Sequence, residues 1–193
     1  MELQKINWKI FLKSEPAPSP DSLFQALAAW IPESPEVFID VADYQHVQNG
    51  PLVLLAGHEV DFAWDATNGQ LGLLYSAKQP LSGSHSEKLQ STLDALLAAA
   101  ERLQADPIFD NELAFDASEL LFIINDRSIA VNDGRGVASL PELGALMNRL
   151  FGEDGYSVAT DPDPRQRFHL QVRAHEDLSL QALRGQIAST IGK

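Results

Sequence analysis

Two hydrophobic periods alternate along this chain, and their order outlines its architecture. Ile6, Trp8, Ile10 and Leu12 share one parity, while Asn7, Lys9, Phe11 and Lys13 share the other, which predicts a half-buried strand over 6–13. The segment from Ser14 to Pro20 holds three prolines and reads as a loop ending at a helix start, with Ser19 as cap and Pro20 in the first turn. Leu23, Leu27, Trp30 and Ile31 then fall on one helical face, which Pro32 is expected to end. A strand over Val37 to Ala42 follows the turn at Glu33 to Pro35.

The stretch from Asp40 to Tyr75 reads as a meander. Pro51 to Ala56 is an apolar run, Gly57-His58 can turn, and Glu59 to Trp64 alternates. Asn68-Gly69 turns again into Leu71 to Tyr75, because both residues tolerate the positive backbone angles of a tight hairpin. Ser84 and Glu87 then form a capping box before a long helix whose stripe is Leu89, Leu93, Leu96, Leu97, Ala100 and Leu103. Asp106-Pro107 closes that helix.

The second half echoes the first. Glu119 to Gly136 repeats the pattern of an apolar strand, a polar turn at Asn125-Asp126, an alternating strand and a Gly-bearing loop at Asp133-Gly134. A second capping box, Ser139 with Glu142, opens a helix carrying Leu143, Leu146, Met147, Leu150 and Phe151, which Gly152 terminates. Tyr156 to Thr160 and Phe168 to Ala174 alternate as strands joined by a long proline-bearing connection at Pro162 to Gln166. Leu180, Leu183, Ile187 and Ile191 mark a last helix capped by Asp177 or Ser179. Together these elements predict an α+β fold, a mixed and mostly antiparallel sheet with about four helices packed on it. One domain over residues 1–193 is expected, with two weakly similar hairpin-plus-helix halves at about 37–106 and 112–152.

Composition narrows the function. A chain of 193 residues, 45% hydrophobic, can bury a substantial core. Its formal net charge of −13 opposes phosphate backbones and anionic lipid, so neither nucleic acid nor membrane is an expected partner. No apolar run approaches the roughly 20 residues that cross a bilayer. The start MELQKINWKI lacks the pattern of a signal peptide, and a cytoplasmic location is expected. The absence of cysteine removes disulfides, thiolate nucleophiles and cysteine-ligated metals.

The site-capable residues concentrate in the meander. Asp40, Asp43, His46, His58 and Glu59 carry the oxygen and imidazole groups that zinc, manganese or iron accept. A divalent metal held by Asp43, His46 and His58 requires the loop Tyr44 to Gly50 to fold back on a turn at Gly57. The same residues also suit ordinary turns and half-buried positions, so no cofactor is predicted outright. Tyr44, His46, His58 and Glu59 are the candidates for lining a small-ligand pocket. His85, His169 and His175 are solitary and read as structural. Ser82-Gly83-Ser84 can offer free backbone donors to an anion. Asp61, Asp65, Glu112, Asp116 and Glu119 read as a solvated acidic face.

The stretch DVADYQHVQNGPLVLLAGHE resembles an uncharacterised family of bacterial cytosolic proteins over Asp40 to Asp65. The resemblance implies no activity, ligand or catalytic residue. The favoured function is therefore a non-enzymatic one, exercised through a protein interface or a small-ligand pocket, with a homo-oligomer joined by apolar sheet or helix surfaces as the partner this reading allows. The alternative is a metal-assisted hydrolase or isomerase using the His, Asp and Glu set. The charge yields a direct expectation: electrophoretic mobility assays at physiological salt show no complex with DNA or RNA, since counterion release cannot supply the binding energy.

Overall fold

A computed structural model describes residues 2–191 except 48, 129, 131, 133, 134 and 162. The described strands are β1 (Ile6–Leu12), β2 (Phe38–Asp43), β3 (Pro51–Gly57), β4 (Val60–Asp65), β5 (Gly72–Ala77), β6 (Phe115–Ile124), β7 (Tyr156–Ala159) and β8 (His169–Ala174). They form a single sheet in the order β2-β3-β4-β5-β1-β6-β8-β7. Every described pairing is antiparallel. Four helices, α1 (Pro20–Ala28), α3 (His85–Gln104), α4 (Pro141–Phe151) and α5 (Leu180–Ile191), and the single turn α2 (Trp30–Glu33) complete the α+β fold. Among the described residues no helix is long and apolar enough to cross a membrane.

The helices form one layer on one face of the sheet. Helix α3 lies over β1 and β5, α1 over β2 and β3, and α4 and α5 pack against α3. The seam is apolar: Leu89, Leu93, Leu96 and Leu97 of α3 are fully buried, as are Trp8, Leu55, Leu73 and Phe122 of the sheet. Trp8 also donates its indole N–H to Thr92 Oγ1 at 3.0 Å, which fixes α3 over the central strand. The Ser84–Glu87 capping box forms as expected and starts α3. Glu87 Oε2 accepts both the Ser84 N–H and its hydroxyl at 2.8 Å, so the Ser84 donors of the Ser82-Gly83-Ser84 segment are engaged by the protein's own carboxylate.

Connectivity repeats in the two halves. Each opens on a strand (β1, β6), passes through a helix, returns through strands of which the last pairs with the first (β5 with β1, β8 with β6), and ends in a helix. The echo therefore lies in this winding. The expected hairpin after Asn125-Asp126 is not formed, because β6 is paired on both edges, by β1 and β8, and has no edge to offer. Asp126 instead turns the chain by accepting from Ser128 N and Oγ at 2.9 and 2.6 Å. The Asp133-Gly134 loop, Pro162 and the side chain of Ile191 lie outside the described residues.

Local departures have local causes. The first helix breaks at Ala29, and Pro32 sits in the first turn of α2, where its missing N–H would have no partner. Helix α4 starts at Pro141 with no side-chain cap, and Glu142 reaches His85 Nδ1 at 3.2 Å in place of a capping box with Ser139. Asn68 and Gly69 adopt the expected positive φ of 60° and 73°, although inside a six-residue connection, 66–71, rather than a two-residue one.

The face of the sheet away from the helices carries Asn7, Lys9 and Phe11 of β1, all buried, so β1 is buried on both faces and not half-buried. Lys9, only 2% exposed, lies between its cross-strand neighbours Leu74 and Leu121. Its ammonium donates to Asp65 Oδ2 at 2.6 Å, to the Asp65 carbonyl at 3.2 Å and to the Gln70 carbonyl at 2.6 Å, as the 66–71 connection folds over it. Asp65 thus leaves the expected solvated acidic face. Glu119 does too, buried and held by Arg173 and Gln171. Burial lowers the Lys9 pKa, and the hydrogen bond that its ammonium donates to Asp65 opposes that shift. Lys9→Met should cost roughly 3–5 kcal/mol by leaving Asp65 as an uncompensated buried charge. Adding Asp65→Asn, which keeps an acceptor for Thr67, should recover part of that loss in denaturant unfolding. Strictly additive losses would show that the two groups are not coupled.

Candidate functional site

The expected site residues separate along β3. Tyr44 and His46 occupy the β2–β3 connection, with ring centroids 6.2 Å apart, and both are exposed. His58 and Glu59 form the β3–β4 turn at the other end of a strand of seven residues, about 20 Å long at the usual rise. The loop does not fold back on Gly57, so Asp43 and His46 cannot share a metal with His58. Among the described residues no group of three His, Cys, Asp or Glu side chains could hold one. Asp43 accepts from the Gln45 N–H at 2.8 Å and its side-chain amide at 3.2 Å, which shapes the loop. Asn49 accepts from the Asn68 N–H at 2.8 Å, tying that loop to the β4–β5 connection.

Gly57 is both the last strand residue and the pivot of the turn. A Cβ there would meet the Val60 carbonyl at 2.4 Å and the Val37 carbonyl at 2.7 Å, so only glycine lets the three backbones approach. His58 N–H donates to the Val37 carbonyl at 2.9 Å, and the Glu59 carbonyl accepts from Lys78 N–H at 2.8 Å. The turn is therefore fixed through its backbone, while His58 and Glu59 are exposed.

Of the four pocket candidates, Glu59 borders a cleft. This cleft, about 450 Å³, lies on the helix side of the sheet, where α3 and the connection 78–84 leave β4 and β5 partly uncovered. Phe38, Phe62 and Tyr75 supply aromatic walls, Ala95 of α3 faces them, Leu81 roofs it, and Glu59 stands at the mouth. Alternation dictates the aromatic set, since Phe62 and Tyr75 are cross-strand partners on the helix face of β4 and β5. Their rings meet edge-on at 5.6 Å, and Phe62 continues to Phe38 at 6.2 Å and Trp30 at 6.1 Å. Gln4 holds the roof from the far end of the chain, its amide accepting from Leu81 N–H at 2.6 Å and donating to the Leu81 carbonyl at 3.0 Å.

Glu59, Tyr75, Gln79 and Ser82 are the polar residues on its lining. Tyr75 is 6% exposed, yet its hydroxyl makes no hydrogen bond among the described residues. Burial first, and the charge of Glu59 second, push its pKa up to about 12. A second cleft of about 460 Å³ opens at the opposite end of the strands, beside Phe11, Gln70, Asp116 and Glu119. Its inner carboxylates are already satisfied, Asp116 by Ser118 and Glu119 by Arg173 and Gln171. The aromatic cleft thus sets a carboxylate and a phenol that have no side-chain partner among the described residues beside apolar surface. No protein-family model matches this chain, and no curated protein or solved structure shows significant similarity to it.

The phenol supplies a test of this geometry. A tyrosine whose folded pKa is raised from 10.0 to about 12 stabilises the fold below its unfolded pKa, and that stability is lost as pH rises from about 10 through 12. Phenolate absorbance of the wild type against Tyr75→Phe should isolate this late titration. Glu59→Gln should lower it while leaving it above the ordinary value, since burial persists. An unmoved titration would place Glu59 out of reach of the phenol.

Proposed function

We propose that this protein is a non-enzymatic binding protein that holds a small organic molecule in the Phe38–Phe62–Tyr75 cleft. The observation that carries this reading is a concavity with aromatic lining on which Glu59 and Tyr75 have no side-chain partner among the described residues, the general form of a small-molecule site. Its architecture favours binding over turnover. Glu59 and Tyr75 are the titratable side chains on its lining, and burial drives the phenol away from ionisation, so they do not make an activated nucleophile with its base. The cleft is also held at both ends, by the glycine-tight turn at 57–59 and by the Gln4 clamp on Leu81, which reduces the ordering that a ligand would have to impose.

A soluble-fragment screen by amide-resolved NMR tests the proposal. Binding fragments should shift amides of Phe62, Tyr75 and Leu81, and Ala95→Trp, which fills the cleft from the α3 side, should weaken them by about tenfold or more. Hits that ignore Ala95→Trp, or that cluster beside Phe11 and Gln70, would move the site elsewhere.

A further inference from the structure

We infer that the ligand of this cleft is an organic ammonium, a protonated amine on a hydrocarbon or aromatic body, with its charge at Glu59 and its body against Phe38, Phe62 and Tyr75. The inference rests on the cleft being the ligand site and specifies its chemistry. Glu59 makes no side-chain hydrogen bond or ion pair among the described residues, although its backbone is fixed by Lys78. Lys78 cannot neutralise it, because its ammonium is held by the Gly57 carbonyl at 2.8 Å and by Asp61 at 3.0 Å. No lysine, arginine or histidine side chain borders the cleft. An anion would therefore meet an uncompensated carboxylate, and a purely apolar ligand would leave both Glu59 and the Tyr75 hydroxyl without partners.

A cationic head meets each group on its own terms. Glu59 offers the counter-charge, the Tyr75 oxygen a second acceptor, and the ring faces the attraction that aromatic quadrupoles exert on cations. The same aromatic cluster already accepts one cation: the Arg102 guanidinium stands 4.3 Å over the Trp30 ring, and Trp30 touches both Phe38 and Phe62. The cleft side of that cluster presents its rings with no cation supplied by the protein.

The test uses 2-phenylethylammonium and the neutral 2-phenylethanol as paired probes, titrated by NMR into wild type, Glu59→Gln and Ala95→Trp. The wild type should bind the amine at least about tenfold more tightly than the alcohol. Glu59→Gln, at an exposed position that leaves the core intact, should erase that preference, while Ala95→Trp should weaken both probes. Equal affinity for the two probes in the wild type, with loss of both in Ala95→Trp, would overturn the ligand class and leave the cleft as the site. An amine whose affinity survives Glu59→Gln overturns the inference as well. Failure of both probes to bind at millimolar concentration would overturn it together with the cleft reading.

Discussion

The first strand carries the constraint on which the rest depends. β1 lies at the centre of the sheet, pairing on one edge with β5 and on the other with β6, so each half of the chain closes against it. Both faces of this strand are buried at its middle. Its helix-side residues Ile6, Trp8 and Ile10 meet α3, and its other side places a lysine where water is excluded. A buried ammonium is tolerated only when its donors are used, and the end of β4 supplies the Asp65 carboxylate and carbonyl while the β4–β5 connection supplies the Gln70 carbonyl. The length of that connection follows from this need. A two-residue hairpin at Asn68-Gly69 would close β4 on β5 and leave nothing to fold over Lys9. Both edges of β1 also await partners distant in sequence, so the central pairing has to be assembled from non-local contacts.

The cleft is a by-product of how the helix layer meets that sheet. α3 is anchored over β1 by Trp8 and Thr92, and its start is held by Ser84, by Glu87 and by Lys88, whose buried ammonium donates to Glu2. The connection from β5 to α3 must pass over the ends of β4 and β5 to reach that anchor. It crosses above Phe62 and Tyr75 without filling the space, and Gln4 pins it there. The aromatic rings line the gap because alternation had already turned them towards the helices. Glu59 reaches it because the Gly57 turn ends beside it.

Elements with a local cause could be read from the sequence, and arrangements set by neighbours could not. Alternation placed the strands of the meander, helical spacing placed the stripe of α3, and the Ser84–Glu87 box and Ser19 cap formed as their chemistry requires. Alternation states which face a residue takes but not which strand lies beside it. Hence Asp65 and Glu119 looked like solvated acids until Lys9 and Arg173 were brought across the sheet to them. The hairpin after Asn125 failed for the same reason, since both edges of β6 were claimed by strands remote in sequence. Pairing His46 with His58 assumed that a loop could return along β3, which a continuous ladder on both sides of that strand forbids. Glu59 could be named from the sequence as a pocket candidate. Tyr75 and Phe38 could not, because their importance depends on the gap above them.

Net charge and cleft chemistry act over different distances, and the distinction decides what selectivity can mean here. The excess of carboxylates creates a negative field that raises the concentration of any cation near the surface, but salt screens it beyond about 8–10 Å. That field cannot tell one cation from another, and it draws inorganic ions as readily as amines. Most acidic side chains in the sheet are satisfied locally, Asp61 by Lys78, Asp65 by Lys9, and Asp116 by Ser118, so they contribute field without offering a site. Glu59 differs in standing unpaired beside surface that only a hydrocarbon can dry. A hydrated inorganic ion placed there would have to shed water against aromatic rings with too few oxygens to replace it. An organic ammonium brings its own apolar surface, so the burial that penalises the inorganic ion favours it.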